Sequence, residues 1–125
     1  MKKIILDTNF LMIPYQFKVD IFDEIRRIVE GEYELVTLAG VVKELERIKK
    51  SKGKSAAAAK IGLELIKAKN VKVINSDSEK VDNKIIELSD KNTIVATNDI
   101  ELKKILKNKK IKIIYLRSRK YLEME

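Results

Sequence analysis

Lys2-Lys3-Ile4-Ile5-Leu6-Asp7-Thr8-Asn9 is the stretch that decides the fold. Ile4, Ile5 and Leu6 form an unbroken apolar run, too short for a globular helix and rich in β-branched side chains. Such a run reads as a strand covered on both faces, as in a parallel sheet flanked by helices. The carboxyl end of a strand of this kind opens into the crevice where open α/β folds bind ligands. Asp7 stands there, and a carboxylate withdrawn from water requires a compensating partner.

Outward from this strand, Phe10-Leu11-Met12-Ile13 runs into Pro14, which is expected to stop any short helix begun at residues 7–9. Asp20 reads as the cap of a helix carrying Ile21, Phe22, Ile25, Ile28 and Val29, closed by Gly31. Residues 33–38 (Y-E-L-V-T-L) read as a second strand, and a helix follows with Val41, Val42, Leu45 and Ile48 on one stripe. Residues 49–55 (K-K-S-K-G-K-S) form a basic, glycine-containing loop; residues 56–69 form a helix with Ala57, Ile61, Leu65 and Ala68 in line. Residues 71–74 make a third strand. Ser76 with Glu79 is a capping box for a helix through about Asp90 that bears Val81, Ile85 and Leu88. Residues 93–96 are the fourth strand, and Asn98 with Glu101 is a second capping box, for a helix through Leu106. Residues 111–115 are the last strand, before a polar tail at 117–125 that holds Tyr121 and Leu122. Strands alternating with helices, with no hairpin signal between them, predict an α/β fold. The expected architecture is a three-layer α/β/α sandwich around a central parallel sheet of order 3-2-1-4-5, one domain over residues 1–125.

Composition narrows the chemistry. With no cysteine and no histidine, thiolate, disulfide, zinc and imidazole chemistry are excluded, leaving carboxylates, lysines, tyrosines, hydroxyls and hard metals. The net charge of +8 favours a polyanionic partner, nucleic acid before an acidic membrane. A solubilising surface, or the ion-pair-covered surface of a thermophile's protein, fits the lysine content equally well. No apolar run reaches membrane-spanning length and the Lys2-Lys3 start lacks a signal-peptide core, so a cytoplasmic protein with no membrane association is expected.

Four acids carry the functional reading. Asp7 and Asp99 follow strands expected to be neighbours. Glu44 lies within the apolar stripe of its helix, where a glutamate is rare unless paired or bound. Asp82 borders the packing stripe early in its own helix, where the helix dipole alone is also a sufficient reason for an acid. Carboxylates gathered together repel, so their convergence implies a cation. All-oxygen ligands select Mg²⁺ or Mn²⁺ over zinc, and such ions commonly serve phosphoryl transfer. Joined to a basic surface, this reads as a nuclease. Thr8, Asn9, Thr97 and Asn98 are candidates for orienting the carboxylates or a water, with helix capping as the competing reading.

At these residues the chain resembles the PIN-domain ribonucleases, which are Rossmann-like. The likeness lies in Asp7-Thr8-Asn9, Val41-Val42-Lys43-Glu44-Leu45, Val81-Asp82-Asn83 and Ile94-Val95-Ala96-Thr97-Asn98-Asp99. The resemblance implies Mg²⁺- or Mn²⁺-dependent endonucleolytic cleavage of RNA, with Asp7, Glu44, Asp82 and Asp99 as catalytic metal residues. The run from Asn9 to Phe17, Val19-Asp20-Ile21-Phe22, the T-N-D-x-E-L-K-K run from Thr97, and the ending Ile114-Tyr115-Leu116-Arg117-Ser118-Arg119-Lys120-Tyr121 resemble the branch that cleaves small-subunit precursor rRNA. Asn83 departs from that branch, which usually carries a second aspartate there. Phosphate-holding candidates are Lys43, Arg47, Lys49, Lys50, Lys52 and Lys54 on one side, and Lys103, Lys104 and Lys107 on the other. Arg117 and Arg119, with Tyr115 and Tyr121, make the tail a candidate RNA-stacking element; a docked structural tail or a homodimer contact fits it as well. Three functions stay open here: precursor rRNA endonuclease, toxin ribonuclease with an antitoxin protein partner, and RNA-binding ribosome-assembly scaffold.

Overall fold

The structure is a computed structural model that describes residues 1–76 and 80–125. Its element order is β1 (Lys2–Leu6), α1 (Thr8–Leu11), α2 (Ile13–Phe17), α3 (Ile21–Ile28), β2 (Tyr33–Leu38), α4 (Ala39–Lys49), α5 (Lys54–Ala68), β3 (Lys72–Ile74), α6 (Val81–Leu88), β4 (Thr93–Ala96), α7 (Ile100–Asn108), β5 (Lys112–Arg117) and β6 (Tyr121–Met124). The sheet order is β3-β2-β1-β4-β5-β6. The first five strands are parallel, in the expected order. Ile4, Ile5 and Leu6 of the central strand are fully buried, flanked by Val36 and Leu38 of β2 and by Val95 and Ala96 of β4. Right-handed crossovers place α1, α2, α4 and α5, which pack on one another, opposite the α6–α7 pair. Among the described residues no helix is long and apolar enough to cross a membrane.

The sixth strand corrects the expected polar tail. β6 pairs antiparallel with β5, Leu116 opposite Leu122 and Arg117 opposite Tyr121. The turn between them has Ser118 at φ 54° and Arg119 at φ 58°, closed by Lys120 N–H donating to Arg117 O at 3.1 Å. Two left-handed residues in a row suit a hairpin, but Asn-Gly or Asp-Gly normally supplies them. Ser-Arg adopts that geometry at roughly 1–2 kcal/mol per residue, which is why the hairpin leaves no mark in the sequence. α3 docks on the added strand: Arg27 donates to Leu122 O at 3.1 Å, and Leu122 N–H donates to Glu24 Oε1 at 3.0 Å. The same Arg27 and Glu24 form an ion pair at 3.0 Å.

Other boundaries differ from expectation for local reasons. The helix begun at Asp7 ends at Leu11, before Pro14, as expected, but Pro14 itself occupies the first turn of α2, where a missing N–H costs nothing, and a second short helix opens there. The basic loop is shorter than expected, because α4 runs to Lys49 and α5 begins at Lys54. α3 ends at Ile28 and α6 at Leu88. The buried face of α5 is Ala58, Ala59, Gly62 and Ile66, rotated by about one residue from the aliphatic stripe. Close approach causes the rotation: a Cβ on Gly62 would stand 2.8 Å from Leu11 O. The Ser76–Glu79 capping box lies outside the described residues.

Two stability predictions follow from this packing. Leu122 is 1% exposed, so Leu122→Ala should cost about 2–5 kcal/mol in chemical denaturation, where an undocked tail would lose nothing. Gly62→Ala should lower the melting temperature, because overpacking by about 1–3 kcal/mol exceeds the roughly 1 kcal/mol gain in helix propensity.

Candidate active site

β1 delivers Asp7 to the carboxyl edge, 5% exposed, with Asp7 N–H donating to Ala96 O at 3.1 Å. Both of its carboxylate oxygens are held. Thr8 N–H donates to Oδ1 at 2.8 Å, and the Thr97 hydroxyl donates to Oδ2 at 2.7 Å. The Thr97 oxygen in turn accepts from Asp99 N–H at 3.1 Å, so one fully buried hydroxyl ties the ends of β1 and β4 together. Thr37, which the sequence reading missed, donates to Leu6 O at 2.7 Å and steadies the strand just before Asp7. Its only sequence signal is a hydroxyl in an otherwise apolar strand end. The Thr8 hydroxyl is buried without a partner among the described residues.

A cavity of about 620 Å³ opens over this edge, and all four predicted acids line it: Asp7, Glu44, Asp82 and Asp99. Thr8, Asn9 and Asn83 share its wall with Met12, Ile48 and Lys80. Asp82 is presented by the first turn of α6, and Glu44 by the middle of α4, where Arg47 approaches it at 3.8 Å. Asp99, not Asn98, caps α7, its Oδ1 accepting from Leu102 N–H at 3.1 Å. Asn98 instead accepts from Leu116 N–H at 2.8 Å and pins the end of β5, which corrects the expected capping box.

Electrostatics mark the cavity as a place short of positive charge. Burial, with smaller repulsion from Asp82 and Asp99, pushes the Asp7 carboxyl up to about 6, against the lowering effect of its two hydrogen bonds. Asp82 is raised by burial and by repulsion from Asp99 and Glu44. The donor set suits a hard divalent cation. Among the described residues, no three carboxylates stand close enough together to enclose an ion directly. Mg²⁺ suits such an open arrangement, because it keeps several waters and takes only one or two carboxylates.

The predicted phosphate-holding residues divide. Lys43, Arg47, Lys49, Lys50, Lys52 and Lys54 are exposed. β3 is parallel to β2, so the chain must return between them to the amino edge. α5, about 22 Å long, makes that return. The Lys49–Lys54 turn therefore sits on the carboxyl side, just beyond Ile48 of the cavity wall. α7 runs away from the cavity and takes its lysines with it. Lys103 lies over the Tyr115 ring, 4.2 Å from its centroid, and is lowered by burial and then by Lys107. Lys104 is exposed, and Lys107 pairs with Glu125. Arg117 is held by Glu123 at 2.8 Å, while Arg119 is exposed at the hairpin turn.

A parallel α/β sheet carrying a cavity lined by four carboxylates at the carboxyl end of its central strands is the architecture the comparisons also recognise. The chain belongs to the PIN-like domain family, whose model matches residues 4–119. It is 38% identical to Ribonuclease VapC4 of Methanocaldococcus jannaschii, covering 99% of this chain and 97% of that protein. It is 34% identical to Ribonuclease VapC9 of Archaeoglobus fulgidus, covering 97% and 87%. Among solved structures, the PIN domain endonuclease Utp24 superposes with a TM-score of 0.75 at 22% identity over 98% of this chain and 90% of that one, a likeness of fold.

The raised carboxyl gives a pH prediction with a definite sign. The folded state binds the Asp7 proton more tightly than the unfolded state. Stability from this group is therefore greatest below about 3.8 and is lost as pH rises through 6, on the order of 3 kcal/mol in all. Without metal, the parent should lose stability across that window relative to Asp7→Asn in urea melts at stepped pH. Thr97→Val, which removes a hydrogen bond that lowers the Asp7 pKa, should move the upper end of the window to higher pH.

Proposed function

We propose that this protein is a metal-dependent endoribonuclease that hydrolyses phosphodiester bonds of RNA. The observation that carries the reading is the convergence of Asp7, Glu44, Asp82 and Asp99 on one cavity. Two relatives named as ribonucleases, matched over nearly their whole lengths, support it. Asp7 and Asp99 would be the fixed metal-holding groups, and Glu44 and Asp82 the groups facing the substrate side. Bound there, Mg²⁺ or Mn²⁺ would lower the pKa of a water and neutralise charge on the phosphoryl oxygens. Thr97 and Thr8 N–H stop the Asp7 carboxylate from turning. Asp82, which lines the same cavity, would accept a proton from a water at the phosphate.

For the substrate, precursor rRNA rests on the likeness of the Asn9-to-Phe17 stretch to the rRNA-processing branch. The tail's likeness to that branch weighs less, because Tyr115 and Arg117 within it are both held by Glu123, a structural role that accounts for them. A toxin-type ribonuclease restrained by an antitoxin protein is the second reading, and the identity to VapC4 and VapC9 favours it. Cleavage of small-subunit precursor rRNA at defined positions, set against cleavage of an unrelated RNA pool, separates the two.

The site itself is tested by Asp7→Asn, which keeps the side-chain shape and an acceptor for Thr8 N–H, removes one charge, and puts an amide donor where Oδ2 accepted from the Thr97 hydroxyl. Metal-free, it should be at least as stable as the parent while losing RNA cleavage. Mn²⁺ at a hundredfold excess over its dissociation constant should stabilise the parent by roughly 2.7 kcal/mol and the variant by far less. Retained cleavage, or an equal gain from Mn²⁺, would sink the four-acid site.

A further inference from the structure

One residue of the cavity wall runs against the local rules of helix formation. Lys80, Val81, Asp82 and Asn83, where α6 begins, all line the cavity. Among the described residues Lys80 is the one cation on that wall, and none of the phosphate-holding candidates read from the sequence lines it. Lys80 is also the N-cap of α6, and its side chain gives the helix no capping bond. α3 and α7 begin as helices normally do. Asp20 and Asp99 accept the amides of Asp23 and Leu102 at 3.0 and 3.1 Å. A lysine has no acceptor for such an amide, and the partial positive charge at a helix N-terminus opposes its own. Serine, threonine or aspartate would suit position 80 better on both grounds. A residue that its helix disfavours therefore stands on the wall of the acidic cavity, the kind of local conflict found where a side chain serves a site.

We propose that Lys80 is a further catalytic residue of this site, its ammonium contacting a non-bridging oxygen of the phosphate under attack, an assignment that rests on the ribonuclease reading above. Charge supports it. Four ionised carboxylates outnumber the charge of one divalent cation by two, and a phosphodiester brings a further negative charge to the same wall. Lys80 supplies positive charge from the wall itself, two residues along the chain from Asp82. A cation clamped on a transferring phosphoryl group holds it more tightly in the transition state than in the bound substrate, so its effect falls on the rate of the chemical step. The ammonium moves no proton in this role; the proton of the attacking water goes to Asp82, as above. Lysine suits the task because it is a compact point charge on a flexible stem, and Lys80 is exposed enough to meet an anion entering the cavity.

The test is RNA cleavage with Mn²⁺ by the full chain and by Lys80→Ala, Lys80→Ser and Lys80→Arg. Alanine and serine remove the same charge, but only serine caps α6. Both should lower kcat on the order of a hundredfold while KM changes less than about threefold, and arginine should retain more activity than either. In metal-free melts Lys80→Ser should unfold at a higher temperature than Lys80→Ala, so that stability and activity respond to different properties of one side chain. Lys84→Gln removes a cation of the same helix that pairs with Glu87 and does not line the cavity, and it should cleave as the parent does. The rise in melting temperature with Mn²⁺ should show Lys80→Ala binding the ion at least as tightly as the parent, because a positive charge has left the wall. Recovery of cleavage in Lys80→Ser, or weaker Mn²⁺ binding by Lys80→Ala, overturns the proposal in favour of a structural role in the first turn of α6. Lys80→Arg as impaired as Lys80→Ala overturns it too. A parent that cleaves and a Lys80→Ala chain that matches it remove the Lys80 assignment alone; a parent that cleaves no RNA removes the ribonuclease reading and Lys80 with it.

Discussion

Holding a buried carboxylate at the end of the central strand is the constraint on which the rest of the structure depends. Asp7 cannot be withdrawn from water without donors, and both come from residues whose positions the sheet determines. Thr8 N–H requires the chain to turn into α1 at once. The Thr97 hydroxyl requires β4 to be the direct neighbour of β1 and in register, as the Leu6–Ala96 pairing provides. The same hydroxyl accepts from Asp99 N–H, so satisfying Asp7 also places the second acid. Two acids and a threonine are thus one unit, and sheet order and site geometry are one fact.

The arrangement sets local charge against overall charge. A chain of net charge +8 keeps a pocket of four acids, of which Asp7 and Asp82 are raised by burial and by repulsion from their neighbours. Repulsion left uncompensated would destabilise the fold, and on the proposed reading a divalent cation bound there would relieve it. The surrounding lysines and arginines would attract a polyanion over a distance of roughly 8–10 Å at ordinary ionic strength. Long-range attraction and local repulsion are compatible because they act at different ranges, the first at the rim and the second within the pocket.

Much of this was legible in the sequence because parallel strands buried on both faces are continuous apolar runs. Ile4-Ile5-Leu6 and Thr93-Ile94-Val95-Ala96 could be little else, and the acids after them were fixed to one edge by topology. What escaped was set by contacts between segments. The face of α5 follows from the closeness of Leu11 O to Gly62, a contact invisible to hydrophobic spacing. Asn98 and Asp99 are equally good caps in isolation. Pairing with Leu116, on a strand distant in the chain, recruits Asn98 and leaves the cap to Asp99. Thr37 looked like an ordinary strand residue because its partner is the Leu6 carbonyl, a backbone atom.

The final nine residues show how structural and functional demands separate within one hairpin. Leu122 fills the core, its amide and carbonyl engage Glu24 and Arg27 of α3, and Glu123 holds both Arg117 and Tyr115. Each of these residues has an inward or lateral partner that explains it. Among the described residues the side chains of Arg119 and Lys120 form no ion pair or hydrogen bond, and Arg119 holds a backbone conformation that glycine would adopt at lower cost. The inward contacts of Leu122 and the bonds to α3 hold β6 on the sheet, so the turn at 118–120 stays exposed without loosening the strand.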